Sequence, residues 1–355
     1  MSRFRALFSS VCASIWLSGC SLWPSEQNPF STVDSSSDFN DAIIEVYSLI
    51  TWITCIVGVL VAILMAYVII KFRDDGLPGN PEQIHGNTTM EIGWTLIPVV
   101  LVIFMVVPTI STIFEIADAA PDDAIEIRVV GKRWWWEFEY IEEGIVTANE
   151  IHVPAGTPVN LLIESDSVIH SFWVPRLGGK RDAVPGRINR MWWTIKDEVA
   201  PGETIRYRGE CAEYCGESHA LMRFDVIAHD DAGYAEWVEL MKAPPIVADA
   251  AIREAGEEAY AAGGCVGCHA LTNIDGAVAR IGPNLTRLGI RQRIAAGTME
   301  NSVDNLASWI ENQEEWKAGT SYDKLGNPRF DGMLIPVELS EQQVDALATY
   351  LSALQ

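Results

Sequence analysis

Two thiols, an imidazole and a thioether fall within one short stretch, Cys211-Ala-Glu213-Tyr-Cys215-Gly-Glu-Ser-His219-Ala-Leu-Met222. Such a donor set is soft and suits copper. A disulfide between Cys211 and Cys215 is the plain alternative in a loop exported from the cell, but it would not need His219 or Met222 at those spacings. A one-copper site needs a single cysteine, whereas two cysteines can bridge two metals if one more nitrogen ligand comes from elsewhere. His170, in Val-Ile-His-Ser-Phe-Trp-Val-Pro, supplies that nitrogen from an earlier strand end.

A second constellation is Cys265-Val-Gly-Cys268-His269. This is the spacing of c-type haem attachment: the two thiols match the haem vinyl groups, and the next residue offers the proximal imidazole. A zinc site would want a second ligand pair downstream, and a thioredoxin-like site would not want His269. The following Ile281-Gly-Pro283-Asn-Leu joins Pro283 to the haem set. Met299 and Met333 are the methionines available as distal ligand. Met333 lies just before the terminal helix, as in small monohaem cytochromes c, which this region resembles. Met299 is too near the attachment site for that topology. The usual Met-Pro pair is replaced by Met333-Leu-Ile-Pro336. His/Met ligation would raise the potential toward electron transfer.

The elements that must position these residues divide the chain. At 355 residues it should hold two or three domains. Apolar residues concentrate before residue 115, and most of the charge lies after it, so the net charge of −23 belongs mainly to a water-facing C-terminal part. A surface of that sign repels nucleic acid. It either attracts a basic redox partner or is simply a solvated acidic face. Arg3, Arg5 and an apolar stretch to Leu17 read as a secretory leader over 1–19, and Leu-Ser-Gly-Cys20 resembles a lipobox, with Cys20 as the lipidated residue. A polar, Ser-rich tether is expected over 20–45.

Residues 46–70 and 92–114 carry no charge and are each long enough to span a membrane. Lys71 and Arg73 place the loop 71–91 in the cytoplasm and both outer flanks outside. Period-two alternation in Ile125, Ile127 and Val129, with later Val159, Leu161 and Ile163, predicts a β-sandwich or barrel over 121–238. A Pro-rich linker is expected over 239–250, and a helical pattern over 251–355. The last helix should open with a capping box, Ser340 to Gln343, and bury Val344, Leu347, Tyr350 and Leu351.

The string His170 followed by Cys-x-Glu-x-Cys-x3-His-x2-Met resembles the binuclear copper A centre of the cytochrome c oxidase subunit 2 family. With the fused haem domain, the resemblance narrows to the caa type and covers about residues 40 to 355. It implies a multidomain fold: a two-helix transmembrane hairpin, an all-β cupredoxin-like sandwich, then an all-α monohaem cytochrome c domain. It further implies that Cys211 and Cys215 bridge two coppers, His170 and His219 cap them, and Met222 is a weak ligand. Glu213 would give its carbonyl to copper and its carboxylate to a magnesium ion shared with subunit 1. A centre filled in this way leaves no open position for substrate, which suits an electron relay.

Gly131-Lys-Arg-Trp134-Trp135-Trp136 is similar to the family's aromatic stretch, in which Trp134 would receive electrons; Trp135 and Trp136 are equally read as sandwich core. Asp182-Ala-Val-Pro-Gly-Arg187 matches a loop that faces subunit 1. Glu91, in Glu-Ile-Gly-Trp94, corresponds to the mouth of a proton-uptake path, and is equally an acid favoured at a helix N-terminus.

The implied partners are subunits 1 and 3 and a donor, cytochrome c or a cytochrome bc complex. The implied setting is a bacterial inner membrane with the copper and haem domains on the periplasmic side. A quinol oxidase subunit 2 would share the hairpin and sandwich but lack the copper ligands. A thioredoxin-like copper chaperone would use C-x3-C with a distant later histidine. A stand-alone electron carrier would keep both centres without subunit 1.

Overall fold

A computed structural model of the chain describes residues 29–73, 83, 85–322, 326, 332–335 and 337–355. The expected leader and Cys20 lie outside the described residues. Two compact units emerge, one holding the two long helices and the other everything from Ala120 onward together with the described residues before Phe39.

In the first unit, α1 runs Asp38–Lys71 and α2 runs Thr88–Glu115. Both are long and apolar enough to cross a membrane. α1 begins several residues before the uncharged run at 46, because Asp38-Phe-Asn-Asp-Ala-Ile-Ile-Glu contains no Gly or Pro to stop a helix. At 34 residues it is about 51 Å long, against a hydrocarbon core of about 30 Å. α2 is capped by Asn87, whose side chain accepts from the Met90 amide, and Pro98 and Pro108 sit within it. Glu91 lies in its first turn and is exposed.

In the second unit, two five-stranded sheets pack face to face. One contains β1 (Ile125–Lys132), β2 (Trp135–Tyr140), β3 (Ile145–Ala148), β5 (Pro158–Ser165) and β8 (Asn189–Thr194), in the order β3-β2-β1-β5-β8. The other contains β4 (Glu150–Pro154), β6 (His170–Trp173), β7 (Arg181–Ala183), β9 (Thr204–Cys211) and β10 (Arg223–His229), in the order β4-β10-β9-β6-β7. The β1–β5 and β4–β10 pairs are parallel, and the other pairs within these two sheets are antiparallel. The alternating Ile127, Val129, Val159, Leu161 and Ile163 are fully buried, as period-two patterning requires of one face. Trp136, Phe172 and Phe224 meet at the core, with the Phe rings stacked at 4.6 Å and Trp136 edge-on to both.

Residues 29–37, expected as free tether, are instead held against the sandwich. Ser36 and Ser37 are buried, the Ser36 amide donates to the Arg176 carbonyl at 2.9 Å, and Arg176 reaches Asp34 at 3.2 Å. Polarity alone does not separate a solvated strap from one whose serines meet backbone groups.

α3 (Asp231–Lys242) closes the sandwich domain, and α4 (Ala250–Ala262) opens the C-terminal one. The segment between them is packed: Val247 is buried, the Ile246 amide donates to the Gln355 carbonyl, and Arg287 donates to the carbonyl of Ala243. α5 (Val303–Glu311), α6 (Gln313–Trp316) and α7 (Glu341–Ser352) complete the helical set. The Ser340–Gln343 capping box is present, and Val344, Leu347, Tyr350 and Leu351 are buried. α4 crosses α7 at Gly256, where a Cβ would stand 2.1 Å from that of Tyr350. The helical pattern is interrupted by one small hairpin, β11 (Arg293–Ile294) with β12 (Met299–Glu300).

Candidate metal centre and haem cavity

His170 opens β6 and is fully buried. Beside it, β9 ends at Cys211, registered against Phe172, and the Cys211 amide donates to the Met222 carbonyl at 3.0 Å. The chain between Cys211 and Met222 is thereby pinched into a closed loop carrying Cys215 and the turn His219–Leu221. Cys211 Sγ lies 3.8 Å from Cys215 Sγ and 3.8 Å from His170 Nδ1. Cys215 Sγ in turn lies 3.6 Å from His219 Nδ1 and 3.8 Å from Met222 Sδ. The Cys211 sulfur also sits 3.2 Å from the Glu213 carbonyl, while the Glu213 residue is exposed. All six residues singled out from the loop and strand end are therefore brought together. The donor atoms of His170, Cys211 and Cys215 lie within 4.8 Å of one another, as a shared metal site requires.

The thiols titrate as a pair. Cys211 is held well below the usual thiol range, chiefly by a hydrogen bond from Cys215, against the effect of burial. Cys215 is pushed up, first by that same bond and then by burial. One thiolate thus forms readily, and the second needs a positive charge beside it.

Trp134 stands next to this cluster. Its indole Nε1 donates to the Cys215 carbonyl at 3.1 Å, and Gly216 lies so near that a Cβ there would be 2.9 Å from the ring. Trp134 is only 4% exposed, so a soluble donor cannot touch its ring. Its backbone carbonyl accepts from Lys317 Nζ of the C-terminal domain at 2.7 Å. Trp135 is buried against Ala148 and Ala296, and Trp136 is sandwich core.

The haem-attachment residues line a cavity with about 1210 Å³ of space, part of it open to solvent. Cys265, Cys268, His269 and Met333 face it, and Arg133, Trp134 and Trp135 of the sandwich domain form part of its wall. His269 Nδ1 donates to the Pro283 carbonyl at 2.7 Å, fixing the tautomer that leaves Nε2 for a metal. Burial holds the His269 imidazole below its ordinary range, which favours the neutral ligand form. Burial also raises the Cys265 thiol to about 11. Met299 packs in the domain core instead of lining the cavity. Ser321 Oγ steadies Met333 by donating to its carbonyl at 2.8 Å.

Two residues here carried no sequence signal. Arg291 lines the cavity, is buried, and leaves its Nε without a hydrogen-bond partner; burial lowers it to about 10. Lys317 is buried, and burial lowers its ammonium to about 7. Apolar walls, two thiols, a fixed imidazole, a thioether and a buried guanidinium, its Nη2 on the Asn284 carbonyl and its Nε unpaired, together fit an attached macrocycle bearing carboxylates.

Comparison with known proteins matches three family models in chain order. Residues 25–112 match the transmembrane domain of cytochrome c oxidase subunit II, 143–228 its periplasmic domain, and 253–355 cytochrome c. The cytochrome c oxidase subunit 2 of Alkalihalophilus pseudofirmus is 36% identical over 85% of this chain and 84% of that relative. The subunit of the same name from Bacillus subtilis is 31% identical over 100% of this chain and 99% of its own. Among solved structures, the periplasmic domain of subunit II of cytochrome oxidase from Bradyrhizobium japonicum is 28% identical, covering 35% of this chain and 97% of that one, with a TM-score of 0.32. The fold and the matches define a membrane-anchored subunit of a haem-copper terminal oxidase, an oxidoreductase. The chain belongs to the cytochrome c oxidase subunit 2 family, in the form that ends in a fused cytochrome c domain.

Proposed function

We propose that this subunit receives electrons at its C-terminal haem c domain, passes them beside Trp134 to a copper A centre, and delivers them to haem a in subunit 1. There oxygen would be reduced and protons translocated. In this reading His170, Cys211, Cys215, His219 and Met222 hold two coppers with the Glu213 carbonyl, and the Glu213 carboxylate meets a magnesium ion shared with subunit 1. Cys265 and Cys268 would anchor the haem, His269 and Met333 would ligate its iron, Pro283 orients His269, and Arg291 would meet a haem carboxylate. When bound, these groups supply the one-electron redox states that side chains lack.

The protein's own part is positional. β6, β9 and the pinched loop hold the sulfur and nitrogen donors in place, which limits rearrangement between oxidation states. The paired thiols would lose both protons only with metal present, so loading is coupled to proton release. Subunits 1 and 3 are the proposed membrane partners, with cytochrome c or a cytochrome bc complex as donor. Both redox domains would lie on the periplasmic side of a bacterial inner membrane, Cys20 would carry lipid, and Glu91 would face the mouth of a proton path.

The observation that carries the reading is the double attachment of Trp134, which walls the haem cavity and donates to the Cys215 carbonyl. Optical and paramagnetic spectra of the protein purified in mild detergent test it. A mixed-valence binuclear copper signal beside a low-spin haem c, with haem a co-purifying, is expected. Mononuclear copper would overturn the centre, and purification without haem a would leave a stand-alone carrier.

A further inference from the structure

We propose that Lys317 is a positioning residue for electron transfer between the two redox domains, holding them as one rigid unit through the backbone of Trp134. The proposal rests on the functional reading above.

Lys317 is 3% exposed, and among the described residues no carboxylate pairs with it. A buried ammonium in that state is costly, so its one strong contact matters. That contact is the 2.7 Å bond to the Trp134 carbonyl. Trp134 is thus gripped at both ends: by Lys317 at its backbone and by the Cys215 carbonyl at its indole. One residue further on, the Ala318 carbonyl accepts from Ser218 Oγ at 2.7 Å, in the same loop that carries Cys215 and His219.

Around this centre the interface has the build of a permanent one. The tip of the β11–β12 hairpin places Ala296 against Trp135 and Ala148, Arg208 donates to the Gly297 carbonyl at 2.7 Å, and Arg223 N donates to the Ala296 carbonyl. Ala295 and Ala296 hold φ of 51° and 56°, a strained conformation for residues with a Cβ, maintained where the tip meets the sandwich. Arg280 of the C-terminal domain bridges Glu137 and Glu139 of the sandwich at 2.7 and 2.9 Å, the first of them buried and the second part-exposed. Lys317 differs from these contacts in acting on the backbone of Trp134 itself.

The step moves one electron and no proton. A bound haem would supply the electron on going from Fe(II) to Fe(III) and a bound copper pair would accept it, while Lys317 only holds the geometry.

Photoreduction of the haem in the intact oxidase, followed at the haem and copper absorption bands, tests this. The native protein should transfer at a single rate independent of viscosity and ionic strength. Lys317→Met should keep both spectra and both midpoint potentials. Its transfer rate should fall about tenfold or more as the docked form loses the buried bond that fixes the Trp134 backbone, and should become viscosity-dependent. Its hairpin amides at 293–300 should exchange hydrogen faster. A native rate in Lys317→Met overturns the proposal while leaving the functional reading intact. So does viscosity-dependent transfer in the native protein, a result that needs no variant. Absence of the copper A or haem c signal from the native protein overturns both.

Discussion

Lowering the pH should loosen the sandwich domain through one histidine. His229 Nε2 lies 2.8 Å from His152 Nδ1, and the His152 ring stacks on Trp237 at 4.6 Å and 10°. Glu150 reaches the far side of His152 at 3.7 Å, and Asp230 adjoins His229 in sequence. Burial, then the neighbouring His152, lowers His229 from 6.5 to about 4; Asp230 pulls weakly the other way. Above pH 6.5 the ring is neutral folded and unfolded, so it adds no pH dependence. Between 6.5 and 4 the unfolded chain takes a proton that the folded site refuses, and stability falls as pH falls. Below about 4 both forms are protonated and the loss is complete. One proton over that window sets a ceiling of about 3.4 kcal/mol, and partial hydration of the ring reduces it to about 1.5–2 kcal/mol. For a unit of this size that is a drop of about 4–8 °C in melting temperature. Thermal unfolding followed by tryptophan fluorescence from pH 7.5 to 4.5 measures it, in the native protein and in His229→Gln. The variant should lose about 1 kcal/mol at pH 7.5, from its weaker hydrogen bond and stack, yet show a flatter pH slope. Equal slopes in the two proteins would refute the assignment to His229.

Gly282→Ala would place a Cβ 2.5 Å from Cε1 and 2.8 Å from Nδ1 of His269. The ring must tilt off the Pro283 carbonyl, so the low-spin haem c band should weaken and the ligand should dissociate at a higher pH than in the native protein. An unchanged acid titration of that band would count against the cradle. Gly209→Ala would put a Cβ 2.2 Å from Phe224 Cζ, within the Phe172–Phe224–Trp136 stack. Overpacking there should cost about 1–3 kcal/mol and alter the copper spectrum through Phe172, which registers with Cys211; a native melting temperature would show that the stack can yield.

What the chain revealed in advance was local. Cys211 to Met222 and Cys265 to His269 could be read because each set of donors lies within one loop, and spacing along a loop survives folding. The place of Met333 before the terminal helix distinguishes it from Met299 in the sequence, and in the structure Met333 lines the cavity while Met299 packs in the core. The N-terminal end of α1 extends beyond the uncharged run because that run marks hydrocarbon depth, not the limit of helix. Lys317 could not be read at all. Its partner is 183 positions away and is a backbone carbonyl, which has no side-chain identity to recognise. Arg291 is equally silent, since an arginine in a −23 chain reads as surface until burial shows otherwise.

The packed segment between α3 and α4 changes how fusion should work. A free linker would act through effective concentration, with the haem domain visiting the copper domain and leaving it. Here Val247 is buried, the Ile246 amide is paired with the chain end, and Arg287 holds the Ala243 carbonyl. The haem cavity is itself completed by Arg133, Trp134 and Trp135, so undocking would open the cavity to water as well as lengthen the path. Covalent fusion in this chain therefore acts less as a tether than as shared construction of one site. The cost of separating the domains lies in the exposed cavity wall and the apolar contacts of the hairpin tip, more than in lost encounter frequency.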